Sequence, residues 1–429
     1  MKRKLIATIY LDKGKAVKSR LDRTALAEDV EELAKRYSDL GADEILVFDL
    51  SEGDEEHDKA IGELRRIVSA AEVNVCACGN IRRVEDVKKI LYTGCAYCAL
   101  NFSKASNVEM AEEVSKRFGA DKLRACVSDP SELGDAAGFV SGLIVITGAE
   151  DHYSSAVVNG LAGETELPLY VPMPDAALVK IAELLQRDFV AGLFGPLLNA
   201  SMEELNAIKN FCSEEGAEMC VFVPELRFDE LTANADGLVP VIVQDYRTKE
   251  VLMMAWMNEE AYNATIQSGR MNYYSRSRKS QWLKGETSGH YQYVKELTAD
   301  CDKDTLLAKV SQVGAACHTG SRSCFFNGIM KKDYIDTDPM KVFEDVFAVI
   351  QDRKLHPKEG SYTNYLFDKG IDKILKKVGE ECTEIVIAAK NPDPEEIKYE
   401  ISDFLYHVMV LMAERGVSWE DITRELARR

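Results

Sequence analysis

The stretch Ala299–Phe326, ADCDKDTLLAKVSQVGAACHTGSRSCFF, sets two kinds of ligand chemistry on one backbone. In an extended chain, side chains alternate between two faces. Asp300, Asp302 and Asp304 then project to one side and Cys301 to the other. Three carboxylates on one face repel each other unless a cation neutralises them, and oxygen ligands of this kind suit Mg²⁺. Cys301, Cys317 and Cys324 can supply three thiolates to zinc. Three protein ligands leave the fourth position to water, which is the catalytic arrangement. His318 follows Cys317 and can move protons. The plainer reading has solvated or capping aspartates and small core cysteines, since either feature alone is common. The combination within one Gly-rich segment favours metal.

Working outward, the chain has 429 residues and a net charge of −19. That length predicts two or three domains. The charge argues against general nucleic-acid binding, which needs a broad basic surface. The apolar run in MKRKLIATIYLDKGK is too short for a signal sequence, and no stretch reaches transmembrane length. The expectation is a cytoplasmic protein with no membrane partner. The eleven cysteines then read as thiols or metal ligands, not as a disulfide framework.

The first half alternates apolar runs with amphipathic helical patterns. KLIATIYL, EILVFDL, VNVCACG, YCALN, LRACV, GLIVIT, PLYVP and VAGLFG are the runs. Eight βα units predict a (β/α)₈-like barrel over residues 1–226. PELRFDELTANADG reads as a linker. A small β-rich α+β domain follows over 227–333, where VPVIVQDYRTKEVLMMAWM looks like a hairpin. KKDYIDTDPMK is a second linker, and 339–429 is all helical.

Two further patterns carry chemistry. SRSRKSQWLKG supplies Arg276, Arg278 and Lys284 without an acid, and GETSGH adds Thr287, Ser288 and His290. Such a run can hold phosphate. Its ordinary reading is a solvated basic edge strand. In the helices, Glu381 with Glu384 and Glu400 with Asp403 stand at i, i+3. If two helices bring the pairs together through Ile385, Val386, Phe404 and Leu405, the four acids need Mg²⁺. Acid pairs on exposed helix faces are common without metal.

With these motifs in hand, the segment from about Gly237 to Phe326 resembles phosphoribosyl-AMP cyclohydrolase of histidine biosynthesis. The resemblance rests on GLVPVIVQDYRTKEVLMMAWMN, YYSRSRKSQWLKGETSGH, DCDKDTLL and ACHTGSRSCF. It implies zinc on Cys301, Cys317 and Cys324, shared across a homodimer interface, Mg²⁺ on Asp300, Asp302 and Asp304, and hydrolytic opening of the adenine ring. Asp345 onward resembles phosphoribosyl-ATP pyrophosphohydrolase through SYTNYLFDKGIDKILKKVGEECTE and EISDFLYHVMVL. That resemblance implies an all-α fold, Mg²⁺ on Glu381, Glu384, Glu400 and Asp403, and phosphate contacts from Lys376 and Lys377. The implied steps are consecutive. His318, Glu381 and Glu384 are the expected catalytic residues, phosphoribosyl nucleotides the partners, and a homodimer or larger homo-oligomer the assembly.

The first half is similar to the phosphoribosyl-substrate barrels of the same pathway, the cyclase subunit of imidazole glycerol phosphate synthase and its isomerase relative. LIATIYLDKGKAVKSR, GADEILVFDL and GNIRRVEDVKKILYTGC carry this likeness, with Asp12 at the position of a catalytic aspartate. The departures count against catalysis. Cys78 replaces a glycine in the phosphate turn CACGNIRR, where a Cβ keeps backbone from phosphate. The second aspartate falls on Ser128 or Asp129. The later phosphate turns are not evident. The expectation is a non-catalytic, stabilising barrel; the alternative is a trifunctional enzyme. A four-thiolate zinc site on Cys76, Cys78, Cys95 and Cys98 is set against plain packing of thiols at strand ends. A third possibility, a metal-binding regulatory protein with relic sites, is opposed by the completeness of both ligand sets.

Overall fold

The computed structural model describes residues 2–148, 151–333, 339–391 and 394–427. They form two compact units, 1–327 and 328–429.

The first unit opens with strands β1 (Lys4–Asp12), β2 (Lys15–Val17), β3 (Ala25–Ala27), β4 (Glu44–Asp49), β5 (Asn74–Cys78), β6 (Tyr97–Asn101), β7 (Leu123–Val127), β8 (Leu143–Val145), β9 (Leu169–Pro172) and β10 (Val190–Phe194). β1 and β4 to β10 pair in parallel, and β1 closes on β10 with Lys4 opposite Gly192. The result is a closed eight-stranded parallel barrel. β2 and β3 form an antiparallel flap on the end of β1. The outer helices are α1 (Val30–Asp39), α2 (Asp54–Ala70), α3 (Val84–Leu91), α4 (Ala105–Phe118), α5 (Ser155–Glu164), α6 (Leu178–Leu185), α7 (Pro196–Ala200) and α8 (Leu205–Glu214). Short 3₁₀ turns replace the helix between β7 and β8.

Period-two alternation divides the apolar residues between two cores. Leu5, Ala7, Ile9 and Val47 face the helices. Ile6, Tyr10, Leu46, Phe48, Cys76, Cys78, Cys126 and Phe194 fill the barrel interior. At the N-terminal end of the strands, Arg124 lies between Tyr97 and Tyr170, 3.9 and 4.1 Å from their ring centroids, and pairs with Glu44. At the C-terminal end, Tyr10 stacks on Phe48 at 5.4 Å, and Phe48 meets Phe194 at 6.2 Å.

The proposed four-thiolate cluster does not form. Cys76 and Cys78 belong to the interior, whereas Cys95 and Cys98 belong to the helical shell. Burial pushes the Cys76, Cys78 and Cys98 thiols up, as expected of packed, protonated sulfur.

The β-rich region comprises β11 (Val239–Asp245), β12 (Val251–Met257), helix α9 (Glu259–Ser268), β13 (Asn272–Ser275), β14 (Ser280–Leu283), β15 (Gln292–Ala299) and β16 (Leu306–Gln312). The four-stranded sheet runs β12-β11-β16-β15, and β13 pairs with β14. SRSRKSQWL is thus a hairpin, with Arg276, Arg278 and Lys279 at its turn. The helical unit holds α10 (Pro339–Leu355), α11 (Tyr362–Lys369), α12 (Ile371–Ala388), α13 (Pro394–Arg415) and α14 (Trp419–Ala427). Its core gathers Phe347, Ile350, Leu366, Ile374, Met409 and Val410. Val386, expected between the helices, is instead 58% exposed. Among the described residues no helix is long and apolar enough to cross a membrane.

Candidate metal and substrate sites

β15 ends at Ala299, so Asp300–Asp304 is not the extended segment the alternating pattern predicts. It is the tight turn joining β15 to β16. Asp300 Oδ1 accepts from the backbone N–H groups of Asp304 at 3.0 Å and Thr305 at 3.1 Å, and Lys303 adopts φ +61°. Short acidic side chains favour such turns because they bond to backbone a few residues on. The turn still brings Asp300, Asp302 and Asp304 together, each offering an oxygen within 4.8 Å of the others. All three are exposed. Thr232 steadies the turn, its N–H donating to Lys303 O at 2.8 Å and its hydroxyl to Asp302 O at 3.0 Å. Three solvent-exposed carboxylates this close fit a hard cation such as Mg²⁺.

The thiols assemble at the other end of β16. The loop beyond it folds back, with Cys317 N–H donating to Ser321 O at 3.1 Å and Cys324 N–H to Leu252 O of β12 at 2.7 Å. This brings the Cys317 and Cys324 thiols near each other. The Thr319 hydroxyl, 3.1 Å from Cys317 Sγ, holds that thiol below its ordinary value, while burial raises Cys324. Cys301 is exposed in the acid turn and does not join them. Within one chain, then, only two of the three expected sulfurs lie together. His318 is exposed beside the pair.

Lys284 is buried, and its Nζ donates to His290 O at 3.1 Å. Burial lowers its pKa, and the neighbouring Cys324 and Cys317 pull in the other direction. Lys284 thus faces the thiols, which its place in a basic run did not reveal. The His290 ring packs on Gly314, where an added Cβ would lie 2.6 Å from the ring. Thr287 and Ser288 are exposed, and Ser288 Oγ accepts from His290 N–H at 3.2 Å. Arg276 lies 4.7 Å over Trp256 and Arg278 5.8 Å over Trp282. Together with Tyr273 and Tyr274 they line an open groove of about 690 Å³. Arg322, not singled out from the sequence, ties the thiol loop to buried Asp245 at 2.7 Å and to Glu250 at 3.0 Å.

In the helical unit, Glu381 and Glu384 of α12 meet Glu400 of α13, again with oxygens within 4.8 Å. Asp403 lies outside that trio. Glu381 is buried, and Glu400 Oε2 is buried without a hydrogen-bond partner. A buried carboxylate oxygen with no partner is costly unless a cation fills the gap. This donor set therefore fits Mg²⁺. Lys377 Nζ reaches Glu381 at 3.4 Å and Glu380 at 3.1 Å, whereas Lys376 is exposed. The sequence reading missed His407. Its Nδ1 donates to Asp403 O at 2.8 Å, and its Nε2 hydrogen-bonds Tyr362 OH at 3.0 Å. His407 Nδ1 is also 3.7 Å from Glu381.

In the barrel, Asp12 pairs with Arg23 at 3.6 Å. Buried Asp151 accepts from Tyr10 OH at 2.9 Å and from Arg20 Nε at 3.1 Å. Arg20 also donates to Gly148 O. The end of the barrel where active sites sit in this fold is thus filled by aromatic rings and this knot. Ser128 Oγ donates to Glu132, and Asp129 accepts from Ser131 as a cap, so neither extends the Asp12 site.

Residues 253–326 match the family model for phosphoribosyl-AMP cyclohydrolase, and residues 343–429 match that for phosphoribosyl-ATP pyrophosphohydrolase. Residues 4–148 match a model described as histidine biosynthesis protein. Histidine biosynthesis bifunctional protein HisIE of Thermoanaerobacter pseudethanolicus is 54% identical over 214 residues, 47% of this chain and 97% of that protein. The proteins of that name from Caldanaerobacter subterraneus and Bacillus subtilis are 52% identical over 207 residues and 48% over 201. Those alignments take in 48% and 47% of this chain, and 97% and 95% of the relatives. Relatives so fully spanned have no length left for a barrel. The chain belongs to the bifunctional histidine-biosynthesis hydrolases named HisIE, with a cyclohydrolase and a pyrophosphohydrolase segment following an additional barrel.

Proposed function

We propose that the chain performs two consecutive hydrolyses. The helical region, about residues 339–429, releases pyrophosphate from phosphoribosyl-ATP. The β-rich region, about residues 227–333, then opens the adenine ring of phosphoribosyl-AMP to give the phosphoribosyl-formimino-AICAR-phosphate. Residues 1–226 form a barrel without turnover of its own. The observation that carries the reading is that each matched segment contains a converged acid trio.

Zinc, held by Cys317 and Cys324 of one copy and Cys301 of another, would supply water activated at neutral pH. His318 then takes and returns protons from its exposed position beside the thiols. Asp300, Asp302 and Asp304 hold Mg²⁺. Arg276 and Arg278 bind substrate from the groove, with Thr287, Ser288 and His290 as further polar contacts and Lys284 as a buried cation. In the helices, Glu381, Glu384, Glu400 and Asp403 hold Mg²⁺ against the polyphosphate. Lys377 and Lys376 meet phosphate oxygens. His407 positions Glu381 and the Asp403 backbone. A homodimer follows from the split thiol set. Eleven free cysteines support a reducing, cytoplasmic setting. The aromatic rings and the Asp151 knot at the barrel mouth disfavour a third activity.

The test supplies phosphoribosyl-ATP, zinc and Mg²⁺ to the full chain and identifies the products. Pyrophosphate and the ring-opened nucleotide are expected. Accumulation of unopened phosphoribosyl-AMP with zinc bound would overturn the second step.

A further inference from the structure

The barrel grips the cyclohydrolase sheet through a charge network centred on buried Asp39, the last residue of α1. The Asp39 side chain is 2% exposed. Its Oδ2 accepts from Lys35 Nζ at 2.6 Å and Ser311 Oγ at 3.2 Å, and its Oδ1 accepts from Lys295 Nζ at 3.0 Å. Lys35 also donates to Ser311 Oγ at 2.7 Å, and Lys295 reaches Glu72 at 2.7 Å. Beside Lys295, Tyr293 is buried in the barrel's own outer core.

These contacts fall on two particular strands. Lys295 belongs to β15 and Ser311 to β16. The acid turn joins the two strands at one end, and the thiol loop leaves β16 at the other. We propose that Asp39 is a positioning residue for the cyclohydrolase reaction, clamping the β15–β16 hairpin to the barrel and fixing the acid turn relative to the thiol loop. The inference rests on the reading of those turns as cyclohydrolase machinery.

Two arguments favour positioning over general adhesion. The shared carboxylate is buried and takes three hydrogen bonds, so its geometry is tightly specified. Removing the carboxylate takes from Lys35, Lys295 and Ser311 the one buried acceptor they share, while Lys295 keeps Glu72. The barrel-free relatives must hold this hairpin by other means, whereas here it is committed to the barrel.

Full-length Asp39→Ala, Asp39→Asn and Asp39→Asn/Lys295→Gln chains, loaded with zinc and Mg²⁺, are assayed for both hydrolyses. For Asp39→Ala, kcat for ring opening should fall roughly 10-fold or more while KM changes little, because small misplacements of reacting groups are expensive. Pyrophosphate release should be unchanged. The double variant, which replaces the Asp39–Lys295 ion pair by two amides able to hydrogen-bond each other, should regain much of the lost kcat. If Asp39→Ala fails to fold, the Asp39→Asn chain is decisive. Selective loss of ring-opening kcat there supports the clamp. Unchanged kcat, or equal loss of both activities, overturns it. A wild-type chain that opens no ring sinks the cyclohydrolase reading itself, whereas wild-type turnover matched by Asp39→Ala sinks only this inference.

Discussion

Cys301 and Cys317 stand at opposite ends of one strand, β16, whose seven residues separate the acid turn from the thiol loop. A strand of that length spans roughly 23 Å, far beyond the reach of two zinc ligands. A chain cannot close this thiol set on itself.

Mixing inactive variants tests the consequence. Cys301→Ser and Cys317→Ser chains should each lack ring opening. Co-expressed, they form mixed dimers in which one of the two sites is intact. About a quarter of wild-type sites should return, from random pairing in a two-fold dimer. Pyrophosphate release should persist throughout. No recovery in demonstrably mixed dimers would refute shared ligation.

The unpartnered Glu400 oxygen makes a prediction with two opposite signs. Glu400→Gln should weaken Mg²⁺ binding by at least the ~10–100-fold that even an outer-sphere partner is worth. Pyrophosphate release should fall with it. Without metal, however, the variant should be no less stable than wild type, because a buried unpaired charge has been removed. Lower metal-free stability would argue that Glu400 serves packing instead.

Within the barrel, Asp151→Ala strips the acceptor shared by Tyr10 and Arg20. A loss of about 1–3 kcal/mol in denaturant stability of the first unit is expected from leaving a buried donor unsatisfied. Asp12→Asn should leave both hydrolyses unchanged. Turnover of a phosphoribosyl-formimino substrate that depends on Asp12 would contradict the non-catalytic reading.

Acid should loosen the barrel–sheet junction. Burial tends to raise Glu72, but the ion pair with Lys295 and the Tyr246 hydroxyl outweigh it and hold the carboxyl below its ordinary 4.5. A depressed carboxylate contributes stability above that value and loses it as pH falls through the folded pKa. Wild type should therefore lose stability below about pH 4.5 more steeply than Glu72→Gln. Parallel acid-unfolding curves for the two chains would show that Glu72 plays no part.

The barrel was legible because its strands are buried on both faces and separated by helix-length patterns. Its closure was implied only by counting. The Asp-x-Asp-x-Asp motif misled because a period of two looks alike in a strand and in a tight turn. The three carboxylates do come together, but on a turn and not on one face of a strand. His407 falls on the same helical face as Glu400 and Asp403, at i+7 and i+4, so a signal existed. A single histidine among apolar neighbours gives no hint of its Tyr362 contact, which only folding creates. Lys284 shows the same limit: a basic run announces charge, but not which lysine is buried against sulfur.

The knot of Tyr10, Asp151 and Arg20 also bears on motion. Catalytic barrels keep mobile loops over an open mouth, and that mobility limits how rigid they can become. A mouth packed with aromatic rings relaxes the restriction. The amides of β1, which is paired on both edges and capped by this knot, should then be among the slowest in the chain to exchange with solvent. The barrel would serve its neighbour as a stiff footing, the least fluctuating body available to hold a hairpin still.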